Sequence, residues 1–175
     1  MQGPDPESDL ERLHADSFGW ALACCGWDRT EAEEVIQTTY LKVLEGTARY
    51  EGRAAFKTWL FAVIRRTAAE RRRRHRFQGL AVWRWLDERP RAAADSAETE
   101  ASRTQASAEL VEALAALPGR QRQVLHLVFY QDLTIREAAE VLGVSLGTAR
   151  RHYERGKQRL REILGAPLRA VECFE

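Results

Sequence analysis

The chain has 175 residues, enough for two small domains or one of medium size. Its 27 basic residues nearly balance 26 acidic ones, so any attraction for nucleic acid must come from local blocks rather than net charge. There is no apolar run long enough to cross a bilayer, no signal-peptide pattern, and no phosphate-binding glycine loop or nucleophile elbow. These features point to a cytoplasmic protein without membrane insertion, and to a non-enzyme with no cofactor.

The cysteines, Cys24, Cys25 and Cys173, have no CxxC spacing, and His14, His75, His126 and His152 show no metal-ligand spacing. Adjacent Cys24 and Cys25 read as core packing.

Periodicity predicts an all-α fold of two small helical domains joined by a flexible linker. Met1 to Asp9 is polar and reads as frayed. Glu11 to Cys25 reads as a first helix, broken by Gly26 to Arg29. Thr30 and Glu33 make a capping-box pattern for a second helix to about Glu45, with Val35, Ile36, Tyr40, Val43 and Leu44 on its apolar side. Gly46 to Gly52 is a loop. A third helix starts at Phe56, with Phe56 and Trp59 read as core, and runs into RRTAAERRRRHR from Arg65 to Arg76, a solvated basic extension suited to phosphates.

Phe77 to Leu86, with Trp83 and Trp85, reads as a short helix. An Ala-, Ser-, Glu- and Thr-rich linker follows. The second domain begins near Ala108, with Leu110, Leu114 and Leu117 on a helix stopped at Pro118-Gly119 and another from Arg120 to Phe129. The boundaries are 1–78, a linker at 79–107, 108–165, and a tail at 166–175.

The second domain ends in a helix-turn-helix, Leu133 to Leu164. Thr134 and Glu137 form a capping box, Gly143 suits a left-handed helix end, and Ser145 caps the next helix. On that helix Leu146, Ala149, Tyr153, Leu160, Ile163 and Leu164 form an inward stripe. The other face carries Thr148, Arg150, Arg151, Glu154, Arg155 and Gln158. Arginine is the commonest reader of guanine, and a carboxylate accepts from the cytosine amino group. Thr148, Arg150, Arg151, Glu154 and Arg155 are therefore candidate readers of duplex DNA in the major groove.

Two separated blocks, EAEEVIQTTYLKVL with FKTWLFAVIRRTAAERRRR and LPGRQRQVLHLVF with the helix-turn-helix, resemble bacterial RNA polymerase sigma factors of the extracytoplasmic-function type in the sigma-70 family. The resemblance spans Leu10 to Arg74 and Ala108 to Leu164. It implies promoter-specific initiation with core RNA polymerase. Glu33, Glu34, Gln37, Thr38 and Lys42 would dock on the beta-prime clamp helices. The loop from Ala48 to Ala55, with Tyr50, Glu51, Gly52 and Arg53 at its tip, would capture a flipped minus-ten base, and Lys57, Arg65 and Arg66 would contact minus-ten DNA. Thr148, Arg150, Arg151, Glu154 and Arg155 would read the minus-thirty-five element, with the second domain on the beta flap.

The resemblance also implies an anti-sigma factor as a partner. Arg66 stands where many relatives carry asparagine, and Glu154 replaces an apolar or aromatic residue. A stand-alone helix-turn-helix regulator is the alternative, and leaves the EEVIQTTY and FKTWL blocks unexplained. A decoy that binds polymerase but not DNA is a third reading.

Overall fold

The structure is a computed structural model that describes residues 6–79, 110 and 112–165. Helix is the only regular element among them. The linker, Trp83, Trp85, Cys173 and the tail lie outside the described residues.

The first unit holds α1 (Pro6–Arg12), α2 (His14–Cys24), α3 (Arg29–Leu44) and α4 (Phe56–Gly79). The predicted first helix is thus two, meeting at Leu13, and Pro6 to Asp9 is helical rather than frayed. Proline suits a first helical position because it has no N–H left to satisfy. α2, α3 and α4 pack on one another around Trp20, Val35, Ile36, Leu60, Phe61 and Ile64, all buried. Trp20 is fully enclosed, and its Nε1 donates to the Phe61 carbonyl at 2.9 Å, so the indole brings no unpaired donor into the core.

The cap of α3 is Asp28, not Thr30. The Asp28 carboxylate accepts from the Glu31 N–H at 2.9 Å. The preceding turn decides the register, with Gly26 and Trp27 both at positive φ, which delivers Asp28 in extended conformation to the helix entry. Leu44 is exposed rather than on the buried side. Cys24 and Cys25 are buried free thiols. Burial pushes both up, Cys25 to about 12, so neither is a reactive thiolate at neutral pH.

The second unit has a helical stretch at 112–115, then α5 (Gly119–Phe129), α6 (Ile135–Leu142) and α7 (Leu146–Leu164). Gly119 begins α5 rather than ending the helix before it. Local signals place α6 and α7. The Thr134–Glu137 capping box is complete in both directions, Gly143 closes α6 at φ +60°, and the Ser145 side chain accepts from the Thr148 N–H. Ala138 and Ala139 are buried, as are Ala149, Tyr153 and Leu160, but Ile163 is 44% exposed and leaves the expected stripe. Gly156 is buried where α7 crosses α5. A Cβ there would stand 3.0 Å from Leu125 Cδ1, so the two helices approach at the distance glycine permits.

The two units pack directly against each other. α6 lies on α4 and α5 lies on α2, and one hydrophobic core runs through both.

Candidate nucleic-acid interface

The loop between α3 and α4 and the start of α4 enclose a cavity of about 320 Å³. Its wall includes Tyr50, Glu51, Arg53, Thr58, Trp59 and Arg66. Tyr50, Phe56 and Trp59 form an aromatic cluster with centroids 5.2–5.3 Å apart. The Tyr50 hydroxyl donates to the Ala54 carbonyl at 2.6 Å, which ties the loop back on itself. Gly52 has φ +72°, a conformation in which a side chain would be strained. Arg53 pairs with Glu51 at 3.0 Å at the exposed tip. Phe56 and Trp59 are half-buried and pack against the core, and Trp59 also lines the cavity. Thr58 is 2% exposed and its hydroxyl has no hydrogen-bond partner. A cavity with cationic and aromatic sides suits a nucleobase.

Thr58 and Arg49 also line the cavity. Arg49 belongs to the expected loop, Ala48 to Ala55, whereas nothing in the sequence distinguishes Thr58, inside the FKTWL block, from an ordinary helix residue.

The structure separates the three cationic candidates of α4. Arg66 is exposed and reaches the cavity. Arg65 is half-buried, and desolvation lowers its pKa from the usual arginine range. Lys57 is already occupied. Its Nζ pairs with Asp16 at 2.8 Å, donates to the Gln131 carbonyl at 3.0 Å and sits over the Phe61 ring. Farther along, Arg71 pairs with Glu34, and Arg72 donates to the Cys24 carbonyl at 3.2 Å. The basic run is therefore partly built into the domain, with Arg73 and Arg74 left exposed.

On α3, Glu33, Glu34 and Gln37 are exposed on one face, which continues through Leu41 and Leu44, each 56% exposed. Positions 37, 41 and 44 follow the i, i+4, i+7 spacing of a single helix face. Thr38 is half-buried on the flank. Lys42 turns away toward α4, where it pairs with Glu70 at 2.8 Å and donates to the Thr67 hydroxyl, so it does not belong to the exposed face. The two leucines were missed because their apolar character had assigned them to the core or left them unremarked.

On α7, Arg150, Arg151, Glu154 and Arg155 are exposed along one side, and Thr148 is half-buried beside the cap. Lys157 Nζ lies 3.4 Å from the Glu154 carboxylate and 4.6 Å above the Tyr153 ring. Arg150 and Arg151 project from the first two turns after Ser145, the part of such a helix that enters a groove, and Arg155 follows in the third.

The chain matches the Sigma-70 region 2 family over residues 11–78 and the Sigma-70, region 4 family over residues 113–162. It is 29% identical over 161 residues to RNA polymerase sigma factor CarQ of Myxococcus xanthus, covering 92% of this chain and 90% of that protein. It is 30% identical over 134 residues to the ECF RNA polymerase sigma factor RpoE of Cereibacter sphaeroides, covering 76% and 72%. The fold is similar to that of the sigma factor RpoE of Bartonella quintana, solved in complex with the anti-sigma factor NepR. The TM-score is 0.69 at 20% identity, covering 92% of this chain and 97% of that one.

Proposed function

The chain belongs to the extracytoplasmic-function sigma factors of the sigma-70 family and directs RNA polymerase to promoters, and we propose that it divides this work among three surfaces. The observation that carries the proposal is the separation of two cationic readers of different design. One is a cavity with an aromatic wall beside α4, and the other is the open arginine face of α7. A cavity suits an extruded base, whereas a straight helix face suits the edge of an intact duplex. A regulator that binds only duplex DNA has no use for the first.

In this reading the loop from Arg49 to Ala54, with Tyr50, Glu51, Gly52 and Arg53 at its tip, holds a minus-ten base against Thr58 and Trp59. Lys57, Arg65, Arg66, Arg73 and Arg74 hold the adjoining strand. Thr148, Arg150, Arg151, Glu154 and Arg155 read the minus-thirty-five duplex. Glu33, Glu34, Gln37, Leu41 and Leu44 dock on the polymerase clamp, and the second unit, residues 108–165, docks on the beta flap. Residues 1–78 and 108–165 act as the two domains, with 79–107 spanning polymerase between them. The work is done in the cytoplasm, without catalysis by this chain, and an anti-sigma factor restrains it.

Among the described residues no helix is long and apolar enough to cross a membrane. Run-off transcription with purified core polymerase on a randomised promoter library tests the assignment. Initiation above core alone, on templates sharing two elements, is the expected result. Initiation that never exceeds core alone overturns it.

A further inference from the structure

Arg65 and Arg72 of α4 come together with Arg120 and Arg122 of α5 where the two units pack. Arg72 and Arg120 are exposed, and Arg65 and Arg122 are half-buried. Among the described residues none of the four makes an ion pair. Desolvation lowers the pKa of Arg65, and the positive charges of Arg120, Arg72 and Arg66 lower it further. Desolvation lowers that of Arg122 too, and the charge of Arg72 adds to it. Burial raises the Cys24 thiol at the end of α2 while Arg72, Arg65 and Arg122 pull it down, so three of the four guanidiniums converge on one buried point.

The start of α5 adds to the positive charge. The helix begins at Gly119 with no side-chain cap and no acid in its first turn, which instead carries Arg120 and Arg122. The N–H groups of Gln121 and Arg122 donate to the Pro118 carbonyl at 2.9 Å and 3.0 Å, and those of Gly119 and Arg120 fall before the ladder begins. Two cations thus stand at the positive end of a helix dipole, where an anion is favoured.

The guanidiniums are anchored but not saturated. Arg122 donates through Nη1 to the Ala115 carbonyl at 3.1 Å, and its Nε is closed to solvent and has no partner. Arg72 donates through Nη1 to the Cys24 carbonyl at 3.2 Å. A guanidinium has further donors in a fixed fork, so each of these two is held in place by one arm with other donors uncommitted.

Such forks match phosphate oxygens two at a time, and a helix N-terminus binds phosphate through its backbone N–H groups. A single phosphate has too few oxygens and too little charge to satisfy the whole cluster, whereas a short phosphate chain has enough of both. A nucleic-acid strand spreads its charge along a backbone and suits the open face of α7 better than this corner.

We propose that Arg65, Arg72, Arg120 and Arg122, with the uncapped start of α5, form a binding site for an oligophosphate, the chemistry shared by inorganic triphosphate and the phosphate chain of a nucleotide. Its side chains come from both units, so the site belongs to the packed form of the chain. It goes beyond the promoter-reading surfaces and does not depend on them. Arg65 alone is shared with them, and the test leaves it unaltered.

Isothermal titration of the full chain with inorganic triphosphate, at about 150 mM salt to screen general attraction, measures binding. One saturable site is expected, with a melting temperature that rises with triphosphate concentration. Orthophosphate should bind at least about tenfold more weakly, and Arg120→Gln and Arg72→Gln should each weaken triphosphate binding about tenfold. Arg120 is exposed and its side chain anchors nothing in the fold, so its variant separates binding from folding. Arg150→Ala with Arg151→Ala removes two charges on α7 and should leave triphosphate binding unchanged. GTP in place of inorganic triphosphate separates the sources. Equal affinity assigns the phosphate chain alone and tighter GTP binding assigns a nucleotide, and either upholds the site. Absence of saturable binding overturns it. An equal loss in the α7 variant reduces the effect to general charge and overturns it too. Displacement of triphosphate by a single-stranded oligonucleotide at equal phosphate concentration makes the cluster a strand contact and likewise overturns the oligophosphate site.

Discussion

His126 of α5 lies stacked on Trp20 of α2, with ring centroids 5.6 Å apart and 29° between the planes. Tyr130 covers the other part of the imidazole at 5.3 Å, and Trp27 meets it edge-on at 6.4 Å. Gln131 Nε2 lies 3.4 Å from His126 Nε2, an amide donor beside a ring nitrogen that accepts only while the imidazole is neutral. The contact joins the two units and also places a titratable group where charge is unwelcome.

Burial lowers the His126 pKa to about 4 from an ordinary 6.5. The unfolded chain therefore takes up this proton first as pH falls. The contribution to stability is complete above pH 6.5 and is lost progressively toward pH 4, amounting to about 3 kcal/mol. Urea denaturation followed by tryptophan fluorescence is expected to show stability falling between pH 7 and pH 5. His126→Phe, which keeps a ring in the slot, should flatten that slope. An unchanged slope in this variant would assign the pH dependence to other groups.

At Gly156 two effects of opposite sign compete. Replacing glycine by alanine inside a helix is worth about 1 kcal/mol in propensity. The added Cβ would stand 3.0 Å and 3.2 Å from atoms of Leu125, and 3.3 Å from Gln121 Cβ. Leu125 is 1% exposed and has little room to retreat, so overpacking of about 1–3 kcal/mol wins. Gly156→Ala is expected to lower Tm by several degrees in a thermal melt. Gly147→Ala, on the same helix with nothing within 4 Å of the added atom, should not.

What could be read from sequence alone divides by the range of the interaction. Thr134, Glu137, Gly143 and Ser145 act within one turn of themselves, and α6 and α7 begin and end where those residues require. The start of α3 was less legible because Asp28–Glu31 and Thr30–Glu33 offer two overlapping cap patterns, and only the positive-φ turn at Gly26 and Trp27 chooses between them. The candidate arginines of α7 were found because exposure follows the helical period. Lys57 was found as a cation, but its pairing with Asp16 and Gln131 joins residues far apart in sequence. No periodicity announces such a pair, and the packing of one unit on the other was hidden for the same reason. Lys42 shows the converse error. A lysine on a polar helix reads as solvent-facing until α4 supplies Glu70 beside it.

The capping box fixes where α6 begins. The Thr134 hydroxyl accepts from the Glu137 N–H at 3.2 Å, and the Glu137 carboxylate accepts from the Thr134 N–H at 2.8 Å. Thr134→Ala removes the first of these bonds and should destabilise the second unit by about 1 kcal/mol. Circular dichroism melts measure it. A loss within error would mean that tertiary packing of Ala138, Val141 and Leu142 holds α6 without its cap.

Arg150 and Arg151 give the sharpest separation of reading from folding. Both are exposed on α7, away from the buried line of Ala149, Tyr153 and Leu160, so replacing them by alanine leaves the core untouched. If they read bases, each contact carries about 1–3 kcal/mol of discrimination. The double variant Arg150→Ala with Arg151→Ala should then lose at least tenfold in initiation at a promoter with a minus-thirty-five element, with its melting temperature unchanged. The two possible roles differ in salt and sequence dependence. Loss of phosphate contacts weakens all templates alike and shallows the salt dependence of binding, whereas loss of base contacts falls on particular positions of the element. Run-off assays on single-base variants of the minus-thirty-five element, at two salt concentrations, distinguish them. An equal loss at every position would move both arginines from the base edges to the backbone, and unaltered initiation would remove them from the interface.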